Sequence, residues 1–172
     1  DMNDIAISDN LRLRANESTG NLFDQGWSDR LMINVSLNET RTNYPIKFIV
    51  NTSDIDFSDT DFTDIRFTYY NETADEELNM SHWVQSSNST EAQIWTKVPR
   101  LTSSNLTIYM YYNNPNATDE SNGDSVFLFF DDFDGSSLDT TKWDLVNSGT
   151  GSQSLIDSVL SITSTGDWWN AA

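Results

Sequence analysis

The residues able to do chemistry in this chain are few. Its single histidine, His82, stands beside Trp83 in a strand-like segment, and without cysteine it cannot complete an ordinary zinc site. No nucleophile elbow or ordered triad partner accompanies it. The seven glutamates form no array of paired carboxylates on one strand, and Glu72, Asp75, Glu76 and Glu77 are expected in a loop. Asp54, Asp56, Asp59, Asp61 and Asp64 could offer oxygen ligands to Ca²⁺, but the loop glycine and terminal glutamate of an EF-hand are missing. A solvated acidic loop is the preferred reading, with no cofactor and no catalytic residue expected. The chain is therefore read as a non-enzyme.

Asparagine carries more information. The chain has 18 Asn and 40 Ser plus Thr, and contains nine Asn-x-Ser/Thr sequons, where chance placement gives roughly four. They are Asn16, Asn34, Asn38, Asn51, Asn71, Asn79, Asn88, Asn105 and Asn116. This excess points to covalent N-glycans on an extracellular, cell-surface protein, although Asn, Ser and Thr also serve turn chemistry.

Composition narrows the partners. A net charge of −18, with three lysines among nine basic residues, leaves no basic face for nucleic acid. Cysteine is absent, so stability must come from packing, sugars or neighbouring subunits. No apolar run approaches the roughly 18 residues needed to span a bilayer. The chain opens at Asp1 without a signal peptide, so a processed signal or an excerpt of a longer protein is expected.

The elements that would position these residues read as strands. Ala92, Ile94, Thr96 and Val98 alternate with Gln93, Trp95 and Lys97, and after Pro99 the pattern resumes through Leu106, Ile108, Met110 and Tyr112. This predicts a β-hairpin with a five-residue connection, central in its sheet. Leu31, Ile33, Val35 and Leu37 point inward with Asn34 and Asn38 outward, and this strand is expected to pair with Ile46 to Val50 across a turn at Asn43 to Pro45. A strand follows from Asp64 to Tyr70, then an exposed connection from Asn71 to Asn79. Val126 to Phe130 reads as a strand buried on both faces, and Leu155 to Thr163 as a last β-like pair. One 172-residue chain suits a single all-β domain, burying about 70% of its unfolded surface.

At the N-terminus, Ile5, Ile7, Leu11 and Leu13 make an amphipathic strand ahead of a polar tether. It pairs either within its own sheet or in trans with a neighbouring subunit. Residues 1–25 are thus assigned to a strand and tether, and 26–172 to a β-sandwich domain. Trp168 and Trp169, adjacent near the C-terminus, are expected under a partner.

Several stretches together resemble the family called domain of unknown function 2341, found in exported and surface proteins of archaea and bacteria. They are Trp27 to Arg30, Tyr44-Pro45-Ile46, Asp64 to Phe67, His82-Trp83-Val84, Ile94 to Pro99, Thr107 to Pro115 and Phe129 to Gly135. The resemblance runs over about 27–143 and implies an antiparallel β-sandwich of jelly-roll type, with no activity attached. Residues 144–172 then supply C-terminal strands. Phe133 to Trp143 resembles the opening of a concanavalin-like module, although too few residues follow Gly135 to complete one.

Two functions follow as expectations. The first is a glycosylated structural subunit of a pilus-like filament or surface layer, a homopolymer joined by strand addition of the donor-strand kind, with Ile5, Ile7, Leu11, Leu13, Trp168 and Trp169 at subunit contacts. The second is a carbohydrate-binding or adhesion module with polysaccharide as partner, in which Trp95, Tyr109, Tyr111, Trp168 and Trp169 could stack on sugar rings.

Overall fold

A computed structural model of the chain describes residues 5–6, 22, 25–36, 39–53, 55, 62–71, 73–102, 106–144 and 151–163. The expected contacts Ile7, Leu11, Leu13, Trp168 and Trp169, the sequons Asn16, Asn38 and Asn105, and the acidic residues Asp54, Asp56, Asp59 and Asp61 lie outside these residues.

The fold is all-β, and its strands are antiparallel apart from one short parallel pairing. The strands of the first unit are β1 (Ile5–Ala6), β2 (Asp29–Val35), β3 (Arg41–Asn51), β4 (Arg66–Asn71), β5 (Glu76–Met80), β6 (His82–Ser87), β7 (Glu91–Leu101) and β8 (Leu106–Tyr112). One sheet runs β1-β3-β7-β6 and the other β2-β8-β4-β5. A helical turn, α1 (Gly123–Val126), follows β8. The pair β9 (Ser152–Ile156) and β10 (Val159–Thr163) belongs to a second compact unit, Phe130–Ala172, whereas the first unit is Asp1–Phe129.

Alternation builds the sandwich. Ile46, Phe48 and Val50 of β3 and Ala92, Ile94 and Val98 of β7 turn one way, and meet Ile33, Val35, Phe67, Ile108 and Met110 of the opposing sheet. Phe48 and Phe67 stack at 6.0 Å and 10° between the sheets, both fully buried. The expected parity therefore holds in β2, β3, β7 and β8.

Strand pairing differs from expectation. β7 and β8 do not form a hairpin: β7 pairs with β3 and β6, β8 with β2 and β4, and the connection crosses from one sheet to the other. Both strands are central, but in different sheets. For the same reason β2 and β3 do not pair. The turn foreseen at Asn43 to Pro45 lies inside β3, where Asn43 takes φ 50° opposite Pro99 of β7 as a local irregularity in an otherwise continuous ladder. The connection foreseen over Asn71 to Asn79 contains β5, hairpinned onto β4 through Asn71↔Glu76 to Phe67↔Met80.

Val126 to Phe130 is not a strand. Asn122 caps α1 by accepting from Ser125 N at 3.1 Å, with Asp124 in the first turn, and this local capping outweighs the apolar run that follows. Val126 is buried, Phe127 turns onto Trp83 and Trp95, and Leu128 is fully exposed. In the second unit, Asp157 and Ser158 both take positive φ, which closes β9 and β10 as a two-residue hairpin. The strands expected at 155–163 thus exist, outside the sandwich unit.

Replacing Phe48 by alanine removes one half of the ring stack in a core with no disulfide to compensate. A loss of about 3–5 kcal/mol in urea denaturation is expected, against no more than about 0.5 kcal/mol for an exposed control such as Ser87→Ala.

Candidate functional site

Three features on the sandwich unit could carry function: a buried polar joint on the outer face of the β2-β8-β4-β5 sheet, a cleft beside His82, and the sheet edges with their sequons.

The joint begins where the chain enters β2. Gly26 takes φ +105°, and a Cβ there would stand 3.2 Å from the Asn114 side chain, so only glycine fits comfortably. Trp27 follows, buried, with its indole N–H donating to the Asp64 carbonyl at 2.6 Å. The Asp64 carboxylate accepts from Asn114 N at 2.8 Å, and the Asn114 amide donates to Gln25 O at 3.2 Å. Asn113, at φ 63°, accepts from Ser28 and donates to Asp29 at 2.9 Å. Arg66 lies 5.2 Å from the Trp27 ring and bonds Thr118 O and the Glu120 carboxylate, at 2.7 and 2.8 Å. Three segments far apart in sequence are closed on one another.

Beside it runs a charged network. Arg30 sits over the Tyr109 ring at 4.3 Å and donates to the Tyr111 hydroxyl at 3.1 Å. That hydroxyl donates to the Glu77 carboxylate at 2.9 Å, and Thr68 donates to the same group. Burial raises the Tyr111 pKa far above the ordinary phenol value, with Glu77 reinforcing the shift and Arg30 opposing it. Glu77, expected in an open loop, is instead the acceptor at the centre of this network. Tyr111 has no exposed surface and Tyr109 lies under Arg30, so Tyr111 cannot stack on a sugar.

His82 faces inward from β6, 5.8 Å from Phe67, and its Nε2 is buried without a hydrogen-bond partner. A cleft of about 460 Å³ adjoins it, bordered by Asn79, Ser81, Asp119, Glu120 and Ser121 among others. Its polar groups are largely committed within the chain. Asp119 accepts from Ser121 N, Ser121 Oγ from Val84 N, and Glu120 pairs with Arg66. Burial, aided by Arg66 and partly offset by Asp119, lowers the His82 pKa from 6.5 to about 4.

Of the sequons, Asn34, Asn51, Asn79, Asn88 and Asn116 are exposed and Asn71 is half-buried. Asn71 and Asn88 also use their side-chain oxygens to cap turns, accepting from Thr73 and Thr90 backbone N–H groups. Of the expected subunit contacts, the described one is Ile5, which with Ala6 pairs in parallel with Phe48 and Ile49 of β3 in the same chain. Sequence reasoning singled out the motifs but not their joining, because hydrogen bonds between Trp27, Asp64 and Asn114 have no periodicity to read.

The model of the family described as Domain of unknown function (DUF2341) matches residues 61–146, half of the 172-residue chain. The chain belongs to the DUF2341 family. The match begins later than the resemblance over 27–143, so Trp27 to Arg30 and Tyr44 to Ile46 fall outside it. No curated protein and no solved structure matches the chain. Within the DUF2341 region, Asp64, Arg66, Glu77, Tyr109, Tyr111, Asn113 and Asn114 contact Gln25 to Arg30, which lie outside it.

Two outcomes test this account. Tyr111→Phe leaves Arg30 and Glu77 without their shared hydroxyl and is expected to cost about 1–3 kcal/mol of stability in urea. For His82 the folded pKa lies below the unfolded one, so the neutral form favours folding. This contribution is complete above pH 6.5 and is lost as pH falls towards about 4. It amounts to about 3 kcal/mol at most. His82→Leu, which cannot take up the proton, should show a shallower fall in stability than the parent between pH 6.5 and 4.

Proposed function

We propose that this chain is a glycosylated extracellular structural subunit of a cell-surface filament or surface layer, assembling with copies of itself by β-strand addition. The observation that carries the reading is the edge of β3. This strand has eleven residues, and among the described residues β1 pairs with Phe48 and Ile49 of them, in parallel. A long strand that takes up part of the N-terminal segment suits strand addition. The arm's amphipathic pattern from Ile5 to Leu13 matches such a seat in type and reach. Supporting features are the five exposed sequon asparagines and a charge of −18, which keeps finished particles apart.

A second reading, a carbohydrate-binding or adhesion module, is favoured by the outer face of the same β1-β3-β7-β6 sheet. There Trp83 and Trp95 are half-buried beside Phe127, and Lys47 lies 5.9 Å from the Trp95 ring. Such a surface suits stacking on a sugar ring.

Electron microscopy and intact-mass measurement on material from its producing cells separate the two. A structural subunit is expected as ordered polymers, with each chain heavier than its 19.5 kDa polypeptide. Ile7→Asp and Leu11→Asp should each abolish assembly while the sandwich stays folded by circular dichroism. Polymers that survive both substitutions overturn strand addition. Dispersed monomers that bind polysaccharide favour the adhesion module.

A further inference from the structure

The four outer strands of the sandwich are not equivalent. In one sheet β6 is closed by its own chain: Asn122 N donates to His82 O at 2.8 Å, and Val84 N donates to Ser121 Oγ at 2.9 Å. A register shift between Val84 and Ser86 further distorts that edge. At the other side of the same sheet β3 holds β1. The second sheet ends in β2 and β5, and neither has a covering loop of this kind among the described residues. Outer strands left open are templates for misdirected pairing.

Each of these two strands instead carries a sequon asparagine on its outer face. Asn34 is exposed between buried Ile33 and Val35, and its Oδ1 accepts from Thr107 of β8 at 3.0 Å. Asn79 is exposed next to buried Met80 and stands opposite Thr68 of β4. An added strand would lie about 4.8 Å away, with its side chains about 5 Å from these asparagines. A sugar ring attached there fills that space.

We propose that glycans on Asn34 and Asn79 guard the outermost strands of the second sheet, closing β2 and β5 to strand addition and directing it to the β3 edge. This rests on the reading of the chain as a glycosylated, strand-adding subunit. It assigns two sugars a role that Asn51 and Asn116, which lie at the end of β3 and after β8, do not share.

The test uses the full chain made in glycosylating cells. Ser36→Ala with Ser81→Ala removes both sequons while leaving the Asn34 contact to Thr107 in place, and Ser53→Ala with Thr118→Ala removes the sugars of Asn51 and Asn116 as a control. Circular dichroism checks that each variant is folded, and a repeat with Asn34→Asp and Asn79→Asp covers a failure to fold. The parent and the control are expected to form polymers of one diameter, and the guard variant to lose that uniformity and bundle or aggregate. Uniform polymers from the guard variant overturn the proposal, as does an intact mass showing no sugar at Asn34 and Asn79. If the glycosylated parent stays monomeric while the guard variant associates, guarding stands and the polymer reading falls. If neither associates, both fall.

Discussion

Asp64 is the point on which the sandwich closes. Its carbonyl takes the Trp27 indole and its carboxylate takes the Asn114 backbone, so the approach to β2, the approach to β4 and the exit from β8 are tied at one buried residue. A carboxylate out of water is costly unless hydrogen bonds replace its hydration, and the Asn114 N–H supplies one such bond to Oδ2 of Asp64. Without cysteine, no covalent link could do the same work. Arg66 and Arg30 extend the joint by laying guanidinium groups on Trp27 and Tyr109.

What the sequence reveals is the local half of this fold. Period-two alternation identifies which side of β2, β3, β7 and β8 is buried, because a sheet with one wet face needs it. Pairing is not legible. Arg100 to Ser104 looks like a hairpin loop, yet β7 and β8 part to opposite sheets, and nothing in a strand's own alternation says which neighbour it will take. β5 was hidden by Glu76 and Glu77, polar enough to read as loop, although Glu77 is held by Thr68 and Tyr111 from neighbouring strands. Val126 to Phe130 misled in the opposite way, through an apolar run that a capped helical turn interrupts. The candidate site behaves likewise: its motifs stand out as residue types, while their contacts exist only after the chain has folded.

The two sheets solve the same edge problem by different means. One covers β6 with the loop at Ser121 and Asn122 and seats a piece of chain on β3. The other leaves β2 and β5 outermost, and places an exposed asparagine in each. Aromatic packing of Phe127 on Trp83 and Trp95 adds cover to the outer face of the first sheet.

For a chain glycosylated at Asn34, the position of that residue also sets an order of events. Val35, the middle residue of its sequon, has 2% of its surface exposed, and both residues lie in the ladder with β8. A transferase must grip all three residues of Asn34-Val35-Ser36 at once, which the paired strand does not permit. Asn79-Met80-Ser81 presents the same obstacle, with Met80 in the core. Any sugar on either asparagine must therefore be added to the chain before the sheet closes, and the finished protein would retain a record of the interval in which it was still open.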